Sequence, residues 1–409
     1  MEYRERRIDP ALQRIMGELP AAMLVGPRAV GKTTTATRHA RTIVRLDRSA
    51  EAVAFEADPD AALRGLPEPV ALDEWQEVPG SLGAVKRAID ADPRPGRFLL
   101  TGSVRADLTA EMWPATGRIV RLLMFGMTVD ERVGRPDVVG LIDRLAAGSD
   151  LAATGDLLDL RAYVELALRS GFPEPALSLS QAASRTWLEG YVDQLVTRDA
   201  DLIEPGRDAD RLRRYLEAYA VTSAGIVEET TLLEGAGVNR RTAQAYERLL
   251  TGLQVVHRLP AWSTNRLKRL IKSPKRYLSD PGLFAGVLRV DAAGILRDGD
   301  LLGRLLDTLV VAHLRVELQT SMARPRLFHL RTEQGRHEVD IVAELAGGGV
   351  VGIEIKANAA PRGEAARHLA WLRDQIGDRF VAGAVLHTGP RTYRLAERIV
   401  AAPIAALWS

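Results

Sequence analysis

Residues 21–43 read AAMLVGPRAVGKTTTATRHARTI, and the reading of this stretch decides the fold. Its first five residues, AAMLV, form a short apolar run suited to a strand buried on both faces. From Thr34 onward the sequence is compatible with a helix. Between them Gly26-Pro27-Arg28-Ala29-Val30-Gly31-Lys32-Thr33 has the spacing G-x-x-x-x-G-K-T. A loop bordered by glycines at those places can turn its backbone N–H groups toward a phosphate at a helix N-terminus, where the helix dipole also favours an anion. Lys32 then reaches the terminal phosphates, Thr33 offers its hydroxyl to Mg²⁺, and Thr34 completes the nucleotide-binding stretch.

Two further apolar segments supply partners for that loop. Pro69-Val70-Ala71-Leu72 ends in Asp73-Glu74, as expected of a parallel strand that delivers carboxylates to the carboxyl edge of a sheet. Asp73 is expected to hold Mg²⁺ through water, and Glu74 to polarise the attacking water, because in-line phosphoryl transfer needs an oriented nucleophile. Arg97-Phe98-Leu99-Leu100 runs into Thr101-Gly102-Ser103, where the Thr101 or Ser103 hydroxyl can sense the terminal phosphate. Strands alternating with helices over residues 21–130 predict an α/β fold with a parallel, helix-covered sheet. A leading helix is expected over residues 1–20.

The order GPRAVGKTT, LDEWQEVPG, LLTGS and a Gly117-Arg118 step before RLLMFGMTVDE resembles the bacterial AAA-type ATPases that carry a DUF4143 C-terminal region. The resemblance covers nearly the whole chain. It implies a P-loop NTPase (AAA+-like) core, ATP/ADP and Mg²⁺ as ligands, and a homo-oligomer as one form of assembly. It also makes Arg118 a contact to nucleotide or to a neighbouring subunit. No guanine-reading NKxD motif is present, which favours ATP.

The chain has 409 residues, 46% of them hydrophobic and 26% charged, an ordinary globular composition that points to two or three domains. The 55 basic and 53 acidic side chains nearly cancel, so only a local patch could attract nucleic acid. Cysteine is absent, which removes disulfides, thiol nucleophiles and thiolate-bound metals. No apolar run reaches a membrane span and the start, MEYRERRIDP, lacks a signal-peptide core, so a cytoplasmic protein without membrane partners is expected. Only six of the basic residues are lysines, at 32, 86, 268, 272, 275 and 356.

We divide the chain into an ATPase core at 1–130, a helical lid or linker at 131–220, a winged-helix-like DNA-binding segment at 221–290 and a nuclease-like α/β domain at 291–409. Within the helical region, SGFPEP at 170–175 is the expected hinge. Residues 223–256 have helix-turn-helix spacing, with Asn239 as the N-cap of a second helix presenting Arg240, Arg241, Gln244 and Arg248. Residues 239–276 carry ten Lys or Arg against one acid, Glu247. That basic stretch, with Arg266, Lys268, Arg269 and Lys272, predicts contact with a DNA backbone.

Near the C-terminus, Glu338-Val339-Asp340-Ile341-Val342, a GGG turn at 347–349 and Ile353-Glu354-Ile355-Lys356 suggest paired strands. Two carboxylates and a lysine on one sheet wall suit metal-assisted phosphodiester cleavage, with oxygen ligands for Mg²⁺ and a cation near the reacting group. This pattern resembles the PD-(D/E)xK nuclease core, with Asp340, Glu354 and Lys356 on its motif positions. That resemblance also places an acid on the preceding helix, here Asp307 of GRLLD. Two functional readings follow. One is an ATPase controlling a DNA-engaging, nuclease-like region; the other is a regulatory or scaffold ATPase whose C-terminal region binds DNA or protein without cleavage.

Overall fold

The computed structural model of the chain describes residues 3–103, 117–148, 151, 158–201, 208–227, 229–269, 272–332 and 335–409; the side chains of residues 103, 199–201, 266 and 268 lie outside that description. The chain divides into two compact units, Met1–Met127 with Gly252–Gln254, and Thr128–Thr251 with Val255–Ser409. Among the described residues no helix is long and apolar enough to cross a membrane.

The first unit begins with a helix, Ile8–Glu18, and continues through β1 (Ala21–Gly26), the helix Lys32–His39, β2 (Thr42–Arg45), β3 (Val70–Asp73), the helix Gly80–Ala91, β4 (Phe98–Ser103) and β5 (Ile119–Leu123). The strands form a sheet in the order β2-β3-β4-β1-β5, and every pair is parallel. Each residue of β1 and β3 is buried, which explains why both read as unbroken apolar runs rather than as alternating patterns. Met23, Val25, Leu72, Phe98 and Leu100 share one core with Leu82, Val85 and Ile89 of the Gly80–Ala91 helix. The helix after the loop stops at His39, short of the helix-compatible stretch ending at Ile43. Thr42, Ile43 and Val44 are β-branched and pair instead with Val70, Ala71 and Leu72. Register then fixes the site: Gly26 lies beside Ser103 and Leu72 beside Leu100, so β1, β3 and β4 end at the same edge.

In the second unit, helices Leu141–Ala146, Leu160–Leu168, Pro173–Leu177, Gln181–Asp201 and Ala209–Val221 follow one another. The expected hinge at 170–175 is corrected here. Ser170, Gly171 and Phe172 are buried, the Gly171 N–H donates to Asp280 at 2.7 Å, and the Phe172 ring lies 4.8 Å from Tyr191 and 5.4 Å from Trp187. A segment so tied does not flex freely. Its Pro173 occupies the first turn of a helix, where the missing N–H costs nothing.

Helices Glu229–Ala236 and Arg240–Gly252 follow, then β6 (Val256–Leu259) paired antiparallel with β7 (Lys275–Leu278). Gly237, at φ 63°, breaks the first helix, and the Asn239 carboxamide accepts the Thr242 N–H at 2.9 Å to open the second. The helix Gly299–Glu317 leads into β8 (Arg326–Arg331), β9 (Glu338–Glu344), β10 (Val350–Lys356), β11 (Phe380–His387), β12 (Tyr393–Ala396) and β13 (Ile399–Pro403). These six form a mixed sheet in the order β12-β13-β11-β10-β9-β8. The β9–β10 hairpin turns at the predicted glycines, with Gly348 at φ 83°. Val339, Val350, Phe380 and Val385 of the sheet pack with Leu369 and Leu372 of the helix Arg367–Ile376.

Candidate functional site

At the carboxyl end of β1, Gly26 lies against the chain leaving β5: a Cβ there would stand 2.0 Å from the Met124 carbonyl oxygen. Gly31, at φ 96°, and Ala29, at φ 60°, are both left-handed, a turn that brings the chain round to the helix starting at Lys32. The first bond of that helix runs from Thr35 N to Gly31 O at 2.9 Å. The N–H groups of its first turn therefore have no acceptor within the helix and suit an anion. The Lys32 ammonium is buried and donates to the carbonyls of Gly26 at 3.1 Å and Pro27 at 2.7 Å. Burial pushes its pKa down to about 8, against the opposing pull of Glu74 and Asp73.

Beside it the Thr33 hydroxyl donates to the Asp73 carboxylate at 2.8 Å. The Thr101 hydroxyl donates to the same carboxylate, and the Glu74 N–H points back to Thr101 Oγ1 at 3.4 Å. Lys32, Thr33, Asp73, Glu74 and Thr101 thus meet at one sheet edge. Glu74 adopts a left-handed backbone, φ 53°, and its carboxylate accepts from the Gln76 amide. Among the loop residues, Pro27 and Val30 are buried, Arg28 is half-buried, and Ala29 and Thr34 are exposed. The side chain of Ser103 lies outside the described residues. Arg118 lies away from the loop. It precedes Ile119, which pairs with Ala21 at the opposite end of the sheet from Gly26, and it forms an ion pair with Asp90. Five strand residues separate it from the loop edge, about 17 Å, so it does not touch a nucleotide held by its own loop.

The second constellation also gathers, but around an unexpected residue. Lys275 of β7 is 3% exposed, and its ammonium lies 3.0 Å from Asp340, 3.5 Å from Glu338 and 3.7 Å from Asp307. The second Asp340 oxygen accepts the Ile355 N–H at 3.0 Å, Asp307 accepts the Tyr277 hydroxyl at 3.0 Å, and Glu354 pairs with Lys356 at 2.8 Å. Burial opposes charge throughout, and the outcomes differ. Asp340 stays below the ordinary carboxylate range, chiefly through Lys275, whereas burial raises Asp307, and burial reinforced by Asp340 pushes Glu354 up to about 8. The expected metal set of Asp307, Asp340 and Glu354 is accordingly corrected. Among the described residues no three acids or histidines are placed to hold a metal ion, and an ammonium and a backbone N–H take both oxygens of Asp340.

Half of the ten cations of the basic stretch pair, among the described residues, with acids from elsewhere in the chain or with Glu247 inside it. Arg269, expected on DNA, makes a two-pronged contact with Glu344 at 2.7 and 2.9 Å and lies over the rings of Phe328 and Trp262. Arg258 and Arg276 share Glu247, Lys275 is enclosed as above, and Lys272 donates to the Arg331 carbonyl at 3.3 Å. The side chains of Arg266 and Lys268 lie outside the described residues. Arg240, Arg241, Gln244 and Arg248 are exposed along the Arg240–Gly252 helix, with Arg240 3.2 Å from Glu229.

Family models match three successive parts of this chain: an AAA domain (AAA_14) at residues 19–133, the domain of unknown function DUF8612 at 160–294, and the domain of unknown function DUF4143 at 302–407. The chain carries an AAA domain and a DUF4143 domain. It is 28% identical over 403 residues to the uncharacterized proteins Rv2008c of Mycobacterium tuberculosis and Mb2031c of Mycobacterium bovis, which spans 98% of this chain and 83% of each of theirs. The Walker-type ATPase PABY2304 of Pyrococcus abyssi superposes with a TM-score of 0.44 at 16% identity, covering 71% of this chain and 96% of that one.

Sequence reasoning missed several residues around the AAA-domain loop. Arg6, buried ahead of the first helix, donates to the carbonyls of Val30 at 2.9 Å and Phe125 at 2.8 Å, fixing the loop from outside the motif. The Asp9 carboxylate accepts the Tyr3 hydroxyl at 2.8 Å and lies 2.8 Å from His39 Nε2, which ties the leading segment to the end of the Lys32–His39 helix. Burial works against the Asp9 charge, but the His39, Arg6 backbone and Tyr3 hydrogen bonds hold its pKa below the ordinary value. Arg6 is one of 49 arginines and carries no signal in the sequence. Lys275 did carry one, as one of six lysines.

Proposed function

We propose that this protein is a Mg²⁺-dependent ATPase in which ATP binding and hydrolysis at the AAA domain switch a region beyond residue 130 that engages DNA. The meeting of Lys32, Thr33, Asp73 and Thr101 at one sheet edge carries this reading. The loop N–H groups at the head of the Lys32–His39 helix take the phosphates, and Lys32 exchanges the carbonyls of Gly26 and Pro27 for phosphate oxygens. A hydroxyl and a carboxylate side by side are the oxygen donors that magnesium favours, so Thr33 and, through water, Asp73 fit it. When bound, the ion neutralises charge on the phosphates. Glu74, held by Gln76, orients the attacking water, and Thr101 links Asp73 to the Glu74 backbone as a sensor of the terminal phosphate.

For the remainder of the chain we propose a division into 131–220, 221–290 and 291–409, with the exposed Arg240, Arg241, Gln244 and Arg248 as the DNA-facing set. Of binding DNA and cutting it, the lysine-filled carboxylate cluster favours binding. The test is ATP turnover with and without DNA. Wild type should turn over ATP, Lys32→Ala should lose about 10²–10³-fold, and DNA should change the wild-type rate. Equal turnover in the two proteins would overturn the ATPase reading.

A further inference from the structure

The acids of the C-terminal sheet come from three separate elements: Asp307 from the Gly299–Glu317 helix, Glu338 and Asp340 from β9, and Glu354 from β10. Asp307 and Glu354 are buried and Glu338 and Asp340 are half-buried, and carboxylates gathered this closely repel one another unless a cation sits among them. The cation here belongs to the chain. Lys275 enters from β7, outside the sheet, and its ammonium stands 3.0 Å from Asp340, with Glu338 and Asp307 within 3.7 Å. Glu354 retains one buried oxygen, Oε1, with no hydrogen-bond partner, while its other oxygen is taken by Lys356. The acids around the ammonium are therefore held by groups of the chain itself, and as they stand they form no metal site among the described residues.

We propose that Lys275 is the resident cation of this cluster, standing in place of a divalent metal ion, and that removing it creates a divalent-cation site on Asp307, Glu338 and Asp340. The ammonium keeps metal out by satisfying Asp340 directly and by placing positive charge where an ion would have to sit. It also joins β7 to the sheet, which a freely exchanging ion would do only when bound.

The test uses the full chain with nucleotide absent, so that the AAA domain does not contribute, and Mn²⁺ as the probe, read by electron paramagnetic resonance and thermal melting. Wild type should take up no tightly held Mn²⁺ and melt at the same temperature with or without it. Lys275→Ala should bind one Mn²⁺ per chain and gain thermal stability from it, and Asp340→Asn in that background should abolish both effects. If Lys275→Ala folds only when Mn²⁺ is added, the proposal is likewise supported. Uptake of Mn²⁺ by wild type that is lost in Asp340→Asn would overturn it, as would a folded Lys275→Ala protein that binds none. Should Lys275→Ala fail to fold under either condition, the wild-type titration decides: uptake lost in Asp340→Asn refutes, and none supports.

Discussion

Lys32 donates to two backbone carbonyls, but its burial makes the ammonium easier to discharge, with a pKa pushed down to about 8. A triphosphate is attracted to the charged form. Above about pH 8 the free protein therefore holds a growing fraction of neutral Lys32, and ATP binding must return a proton to it. ATP affinity should fall as pH rises past 8, with net proton uptake on binding, seen by calorimetry in buffers of differing ionisation enthalpy. Affinity that is flat from pH 7 to 9 would contradict this. Glu74 separates binding from chemistry. Glu74→Gln keeps the shape while removing the base, so ATP should still bind while turnover drops by about 10²-fold or more. Arg6 acts one step away, through Val30 and Phe125, and Arg6→Ala should weaken ATP binding without removing any group that touches phosphate.

At the level of strands and helices, the stretches most legible in sequence are those whose chemistry is local. A phosphate loop must have glycines, a lysine and a threonine at fixed spacing between a strand and a helix, and β1, the loop and the following helix occupy those positions. The acids at the end of β3 and the hydroxyl at the end of β4 were legible for the same reason, since parallel strands end at one edge. Misreadings arose where partners are distant. SGFPEP has the punctuation of a loop, yet Asp280, 109 residues further on, satisfies its Gly171 N–H. Arg269 looks like a surface cation until Glu344, 75 residues away, closes on it. That pair is nearly enclosed between aromatic rings, so Arg269→Ala should destabilise the second unit by about 3–5 kcal/mol, read by chemical denaturation. A loss below ~1 kcal/mol would mark the pair as ordinary surface chemistry.

On the scale of the whole chain, near neutrality is built from specific pairings rather than from dilution. A count along residues 239–276 gives ten positive groups and one negative, but Glu344, Asp340, Glu338 and Asp307, together with Glu247 within the stretch, meet four of them, Arg258, Arg269, Lys275 and Arg276. Three exposed arginines, 240, 241 and 248, lie on one helix, with Arg240 paired to Glu229. If DNA is held there, the logarithm of its affinity should fall with that of salt concentration at a slope near about −2.7, where ten phosphate contacts would give about −9. Replacing all three by alanine should flatten the dependence. The lysine at 275 also has a consequence for synthesis. It leaves the ribosome 65 residues ahead of Asp340, so the hairpin bearing it stays without its counter-charge until the sheet strands have been translated. That long delay makes β7 a late joiner: the segment can nucleate nothing by itself, and truncated chains ending before residue 340 should leave it open to proteases.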